Sequence, residues 1–200
     1  MFSSLKAITT LGLLALGSVA APIEVGPENL VLSLDFTDRN FDNWYMKNDG
    51  CEFFLNVVNA LWANDIVDPC LRIGEVSGTV GVGQSIVKYK PKFNLELGET
   101  YQLEFSARST FIDAGGVAGK GFGDNFGDFL QFAVFNANGN IFSAWPGKGI
   151  NVAPEWFKWH WKFTITSGQE GPAYFGLIAH PSGKEIDWYL DDISIIKAPK

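Results

Sequence analysis

From Tyr101 to Arg108 the chain alternates without a break. Tyr101, Leu103, Phe105 and Ala107 hold one parity; Gln102, Glu104, Ser106 and Arg108 hold the other. A period of two puts one set on each side of an extended backbone, so this stretch reads as a half-buried β-strand. Such a strand needs partners, and the rest of the chain supplies them. Leu30 to Phe36, Glu52 to Val58, Ser85 to Tyr89, Phe129 to Phe135, Tyr174 to Ala179 and Trp188 to Ile196 all read as strands. Trp159, Trp161, Phe163 and Ile165 alternate with His160, Lys162 and Thr164. Leu97-Gly-Glu-Thr and Asn138-Gly139 are turn sequences between such runs. No stretch carries the period of an amphipathic helix. Eight or nine strands of this kind predict an all-β antiparallel sandwich, one domain over residues 30–197.

The last strand carries an oddity. On strict alternation Tyr189, Asp191, Ile193 and Ile195 share a face, and three of the four are apolar, so that face is expected in the core. Asp191 then needs a cation, an arginine or backbone N–H groups, because an unpaired buried charge is costly.

Lys6, the apolar run Ala7 to Leu16 and the small residues Ser18-Val19-Ala20 make residues 1–20 a secretory signal peptide, with 21–29 a leader into the domain. The apolar run is too short to span a bilayer. The chain carries a net charge of −7, and Lys6 is the one charged residue of the signal segment. An acidic surface disfavours nucleic acid and anionic membranes and suits neutral ligands and divalent cations. Secretion predicts a disulfide between the two cysteines, Cys51 and Cys70, pinning the loop that carries Trp62.

Familiar catalytic signatures are missing. The two histidines, His160 and His180, have no metal-protease spacing, and neither a Gly-x-Ser-x-Gly elbow nor a phosphate loop occurs. Aromatic content is high instead, with seven Trp, five Tyr and 17 Phe. Most of these rings are needed for a core. Trp62, Phe122 and Trp145 fall in expected loops, the Gly-rich run Asp113 to Asp128 among them, where rings beside polar groups suit sugars. The polar parity of the clearest strand gives Gln102, Glu104, Ser106 and Arg108 one outward face. Phe129, Gln131 and Phe135 take the same kind of face if Leu130, Phe132 and Val134 point inward, and together these residues are expected to line one groove.

Three stretches in order resemble a known family. Tyr101-Gln-Leu-Glu-Phe-Ser-Ala-Arg108 resembles the "Y-x-L-x-F-x-A-R" strand of family 4/9-like carbohydrate-binding modules. Glu155-Trp156 with Trp159 and Phe163-Thr-Ile resembles their "W-x-x-Y…F-T" strand, and Leu190-Asp-Asp-Ile-Ser-Ile195 their closing "I-D-D-V-x-L". The resemblance implies a galactose-binding-like jelly roll and a groove for polysaccharides of the β-glucan or xylan class. It also implies a structural Ca²⁺ near Asp191, with Asp35 in the nearest match to the N-terminal signature. The expectation is a secreted, monomeric, non-catalytic protein, free or associated with a cell wall, that binds polysaccharide or oligosaccharide. Two alternatives stand beside it: a jelly-roll polysaccharide lyase or glycosidase using His160 or His180, and a structural or effector wall protein without glycan affinity.

Overall fold

The computed structural model describes residues 29–40, 42–61, 67–76, 83–111, 130–145, 156–181 and 186–199. The signal segment, Trp62, Phe122 and Phe129 lie outside them. Among the described residues twelve strands run in order: β1 (Leu30–Leu34), β2 (Trp44–Asp49), β3 (Phe53–Leu61), β4 (Val67–Glu75), β5 (Gln84–Tyr89), β6 (Phe93–Leu95), β7 (Thr100–Phe111), β8 (Leu130–Asn136), β9 (Ile141–Trp145), β10 (Phe157–Thr164), β11 (Gly171–Ala179) and β12 (Ile186–Lys197).

They form two antiparallel sheets packed as a jelly-roll sandwich. The first sheet has the order β10-β7-β12-β4-β3, with β1 on β12; the second has β2-β5-β11-β8-β9, with β6 on β11. The expected alternation on β7 holds: Tyr101, Leu103, Phe105 and Ala107 are buried in the core between the sheets. Phe132 and Phe175 meet them from the second sheet, and the Phe105 and Phe132 rings stack with centroids 3.9 Å apart. The turn glycines Gly98 and Gly139 have φ of 79° and 83°, which explains why the tight turns at those points use glycine.

Four strands escape the sequence reading. β2 is polar and rich in Asn and Asp, β4 carries Pro69 and Cys70 where alternation would be sought, and β6 and β9 are short. The closing strand also corrects an expectation. Asp191 pairs with Ser106 while Ser194 pairs with Glu104, so Phe105 faces two residues, Asp192 and Ile193. This is a β-bulge, and Asp192 sits at φ 50°, a conformation Asp tolerates. The extra residue flips the parity. Trp188 and Leu190 enter the core before the bulge, Ile193 and Ile195 after it, and Tyr189 and Asp191 belong to the outer side of the sheet.

The expected disulfide is absent. Cys70 pairs across the sheet with Val58, whereas Cys51 lies two residues before Phe53, whose own partner is Glu75. Val58 is seven residues along the chain from Cys51, roughly 23 Å at the rise of an extended chain, and a disulfide needs Cα atoms within about 7 Å. Burial pushes the Cys70 thiol up to about 12, reinforced by the Asp191 charge, and burial also raises Cys51. Both thiols are therefore protonated at neutral pH and poor nucleophiles. Iodoacetamide should leave the native protein unlabelled and add two adducts in denaturant without reductant. No adducts in denaturant would restore the disulfide.

Candidate functional site

The outer face of the first sheet is built by five strands in register. Asn56 on β3 faces Arg72 on β4, Arg72 faces Tyr189 on β12, and Tyr189 faces Arg108 on β7. Phe157 on β10 pairs with Ala107, so Trp156, just ahead of it, comes to Arg108. Phe54, two residues before Asn56 on β3, completes the row.

The row alternates rings and guanidinium groups. Arg72 Cζ lies 4.8 Å from the Phe54 ring centre and 6.0 Å from that of Tyr189. Arg108 Cζ lies 4.6 Å from the Tyr189 ring centre and 5.6 Å from that of Trp156. All five side chains are half-buried. Guanidinium over a ring face is attractive at these distances, so the row holds its own planes in place. A glycine makes room for it. A methyl group at Gly74 would collide with the Phe54 ring and with the Asp187 carboxylate. That carboxylate receives Arg72 Nη2 at 2.5 Å. Gly74→Ala should therefore displace Phe54 and lower stability by about 1–3 kcal/mol, the usual cost of overpacking. A thermal melt unchanged from wild type would contradict that geometry.

Three polar atoms on this face lack partners among the described residues. Asn56 Oδ1, Arg72 Nε and Arg108 Nε are buried and make no hydrogen bond. Buried polar groups are normally satisfied, so three orphans interleaved with half-buried rings call for an outside partner.

Further along the same face, Glu104, Ser106, Lys158, His160 and Asp192 line a cleft of about 200 Å³, with Trp159 at its edge. Trp159 is 41% exposed. Glu104 accepts a 2.5 Å hydrogen bond from Gln102 Nε2. Asp192 Oδ2 accepts one from Ser106 at 3.2 Å and lies 3.7 Å from Lys158 Nζ.

Between the row and this cleft the sheet has a gap. β7 pairs with β12 along one edge; on the other, β4 covers Asp187 to Leu190 and β1 covers Ile193 to Ile196. The interruption falls at Asp191 and Asp192. Asp191 is buried, its Oδ1 accepts the Asp192 N–H at 2.8 Å, and its Oδ2 has no partner. Burial pushes its carboxyl up to about 7, against that backbone hydrogen bond and helped by the charges of Asp192, Asp68 and Asp35. Asp35 follows β1, and its Oδ1 also receives the Thr37 amide and hydroxyl at 3.2 and 3.1 Å. Among the described residues no three His, Cys, Asp or Glu side chains converge closely enough to hold a metal by themselves.

The sequence-derived groove divides. Gln102, Glu104 and Arg108 lie on the outer face of the first sheet. Gln131, on β8, lies on the outer face of the second, opposite Ile178 and beside Ala133 and Phe135. The two sets are back to back across the core and line no common surface. Phe135 is fully buried on that second face, under Lys88 Nζ at 4.3 Å. Trp145 ends β9, and its side chain, like Trp62 and Phe129, is outside the described residues. His160 is on β10 of the first sheet, whereas His180 follows β11 of the second. Sequence reasoning does not single out Phe54, Arg72 or Tyr189 for binding. Arg72 hides in a strand that alternation does not reveal, and strict parity sends Tyr189 to the core until the bulge reverses it.

No family model and no curated protein matches the sequence. Solved structures do match. The enzymatically active domain of tailspike protein 4 of bacteriophage CBA120 superposes with a TM-score of 0.56 at 14% identity over 85% of this chain. This chain spans 21% of that tailspike chain. The shared feature is the fold. A Stig cyclase, Fisc from Fischerella sp. TAU, matches over 84% of this chain and 89% of its own, at 11% identity and a TM-score of 0.54. Carbohydrate-binding modules are also among the structures it resembles; a CBM4 module matches over 78% of this chain and 86% of its own, at 10% identity and a TM-score of 0.49. Likeness at these identities shows the fold alone, and function has to be argued from the site.

Proposed function

We propose that this is a secreted, non-catalytic carbohydrate-binding protein that lays a polysaccharide of the β-glucan or xylan class across the outer face of its first sheet. The observation that carries this reading is the set of orphaned polar atoms, Asn56 Oδ1, Arg72 Nε and Arg108 Nε, interleaved with the rings of Phe54, Tyr189 and Trp156. Pyranose rings present apolar C–H faces that stack on aromatic planes, and their hydroxyls both donate and accept hydrogen bonds. Each hydrogen bond replaces one to water and nets little, so affinity should be modest, about −8 to −4 kcal/mol, micromolar to millimolar.

The gap in the first sheet suits a structural Ca²⁺. Asp191 offers a buried, unpaired oxygen in a setting to which Asp192, Asp68 and Asp35 add negative charge. Backbone carbonyls and water would complete the shell. Such an ion would supply counter-charge that locks β1 and β4 against β12; sugar binding requires no chemistry from it.

A second reading has one observation in its favour. The cleft of Glu104, Lys158, His160 and Asp192 holds an imidazole, two carboxylates and an ammonium, the groups a lyase or glycosidase would use. Its carboxylates are already engaged by Gln102, Ser106 and Lys158, which favours the binding reading. A panel of polysaccharides decides between them. Retention on immobilised glycan without reducing-end release or unsaturated-product absorbance is the expected result; turnover lost in His160→Ala would overturn it.

A further inference from the structure

Arg108 makes no ion pair and no hydrogen bond among the described residues, and its Nε is buried. Its guanidinium is held between Tyr189 and Trp156, at 4.6 and 5.6 Å from their ring centres. The other guanidinium of the row differs: Arg72 is committed to Asp187 at 2.5 Å. A cation half-removed from water without a counter-charge is unusual in a chain whose net charge is −7. Among the described residues the nearby acids are engaged elsewhere. Asp192 meets Lys158, Asp187 meets Arg72, and Asp191 bears on Cys70 as Arg108 does without pairing with Arg108.

We propose that Arg108 receives a carboxylate of the bound glycan, so that the ligand is an acidic polysaccharide bearing hexuronate residues. This deepens the carbohydrate-binding reading and rests on it. A planar guanidinium offers two parallel N–H donors that match a carboxylate bidentately, and such charge-assisted pairs are stronger and more directional than hydroxyl contacts. Stacking on Tyr189 and Trp156 fixes the plane of the fork before the ligand arrives, which lowers the ordering cost. The rings then hold the sugar faces on either side of the charged contact. The net charge of the chain repels a polyanion at long range, so the preference is carried by this contact and not by a general field.

The test uses one polymer in three forms: a glucuronoxylan, the same polymer with its carboxyl groups reduced to alcohols, and the reduced polymer sulfated. Affinity is read by calorimetry on the full chain, with melting temperatures confirming that each variant is folded. The acidic form should bind wild type at least tenfold more tightly than the reduced form. Arg108→Gln should erase that preference, so that the variant binds the acidic and the reduced forms equally. Arg108→Lys, which keeps charge and loses the fork, should retain only part of it. Equal binding of acidic and reduced forms to wild type, or an undiminished preference in Arg108→Gln, would overturn the inference and leave sugar binding standing. A sulfated form that binds as tightly as the carboxylate form would overturn the carboxylate assignment. Binding to none of the three would overturn the carbohydrate reading itself, and the inference with it.

Discussion

Tyr101→Ala should melt at a much lower temperature than wild type. The Tyr101 side chain is 1% exposed, and its ring stacks on Phe163 of the neighbouring strand with centroids 5.8 Å apart. Removing a buried ring of this size leaves a cavity and costs about 3–5 kcal/mol. For a domain of this length each kcal/mol shifts the midpoint by roughly 2–4 °C. The hydroxyl contributes separately, because it accepts the Glu96 N–H at 3.0 Å and so ties the chain just past β6 to β7. Tyr101→Phe keeps the ring and loses that bond, so it should cost only about 1 kcal/mol. Thermal melts of the two variants separate packing from hydrogen bonding. Equal losses would mean that the ring contributes little and that the core has been misplaced.

Asp191 should make stability depend on pH in one direction without Ca²⁺ and lose that dependence with it. Its folded carboxyl titrates at about 7, well above the ordinary range, chiefly because it is buried. The folded state therefore holds this proton more tightly than the unfolded state does. Stability is greatest at low pH, falls as pH rises from about 4, the unfolded value, to about 7, and is level above that. In EDTA the wild-type melting temperature should show that fall over and above the slope of other groups, and Asp191→Asn should lack it. At pH 8 in EDTA the Asn variant should be the more stable protein. Ca²⁺ at a hundredfold excess over its dissociation constant should then raise the wild type by about 2.7 kcal/mol and leave Asp191→Asn unmoved. Identical Ca²⁺ responses in the two proteins would remove Asp191 from the site. A wild type that is metal-free by elemental analysis and indifferent to Ca²⁺ would remove the site.

Most of the sandwich is legible from alternation, because a strand with one face in the core must repeat every second residue. β1, β7 and β10 show themselves this way. β4 does not: Pro69 and Cys70 interrupt it, and Cys70 and Leu71 are both fully buried, so no polar parity marks a solvent side. Losing β4 conceals Arg72, and with it the link between Phe54 and Tyr189. The same loss makes Cys51 and Cys70 look like two ends of one loop, when a long antiparallel pair holds them apart. Parity also fails locally at Asp191 and Asp192, where one extra residue turns the strand over. A pair of adjacent acids in an apolar strand is the signal that points to the bulge.

The candidate site is only partly legible for a related reason. Alternation tells which residues leave the core but not which sheet they leave it from. Gln102, Glu104 and Arg108 share the polar parity of β7, and Gln131 that of β8, yet β7 and β8 belong to different sheets. Alternation therefore finds Arg108 and wrongly joins it to Gln131. It misses the rings that flank Arg108 because Tyr189 and Trp156, half-buried, look like core residues in a sequence.

Isothermal calorimetry of wild type, Tyr189→Ala and Gln131→Ala against one soluble xylan or β-glucan oligosaccharide tests the central claim most directly. Tyr189 stands between both guanidinium groups on the outer face of the first sheet, and Gln131 stands on the outer face of the second. The account predicts that Tyr189→Ala loses at least tenfold in affinity, with its fold intact, while Gln131→Ala binds as wild type does. Unchanged binding by Tyr189→Ala together with a loss in Gln131→Ala would place the sugar on the opposite side of the sandwich and contradict it.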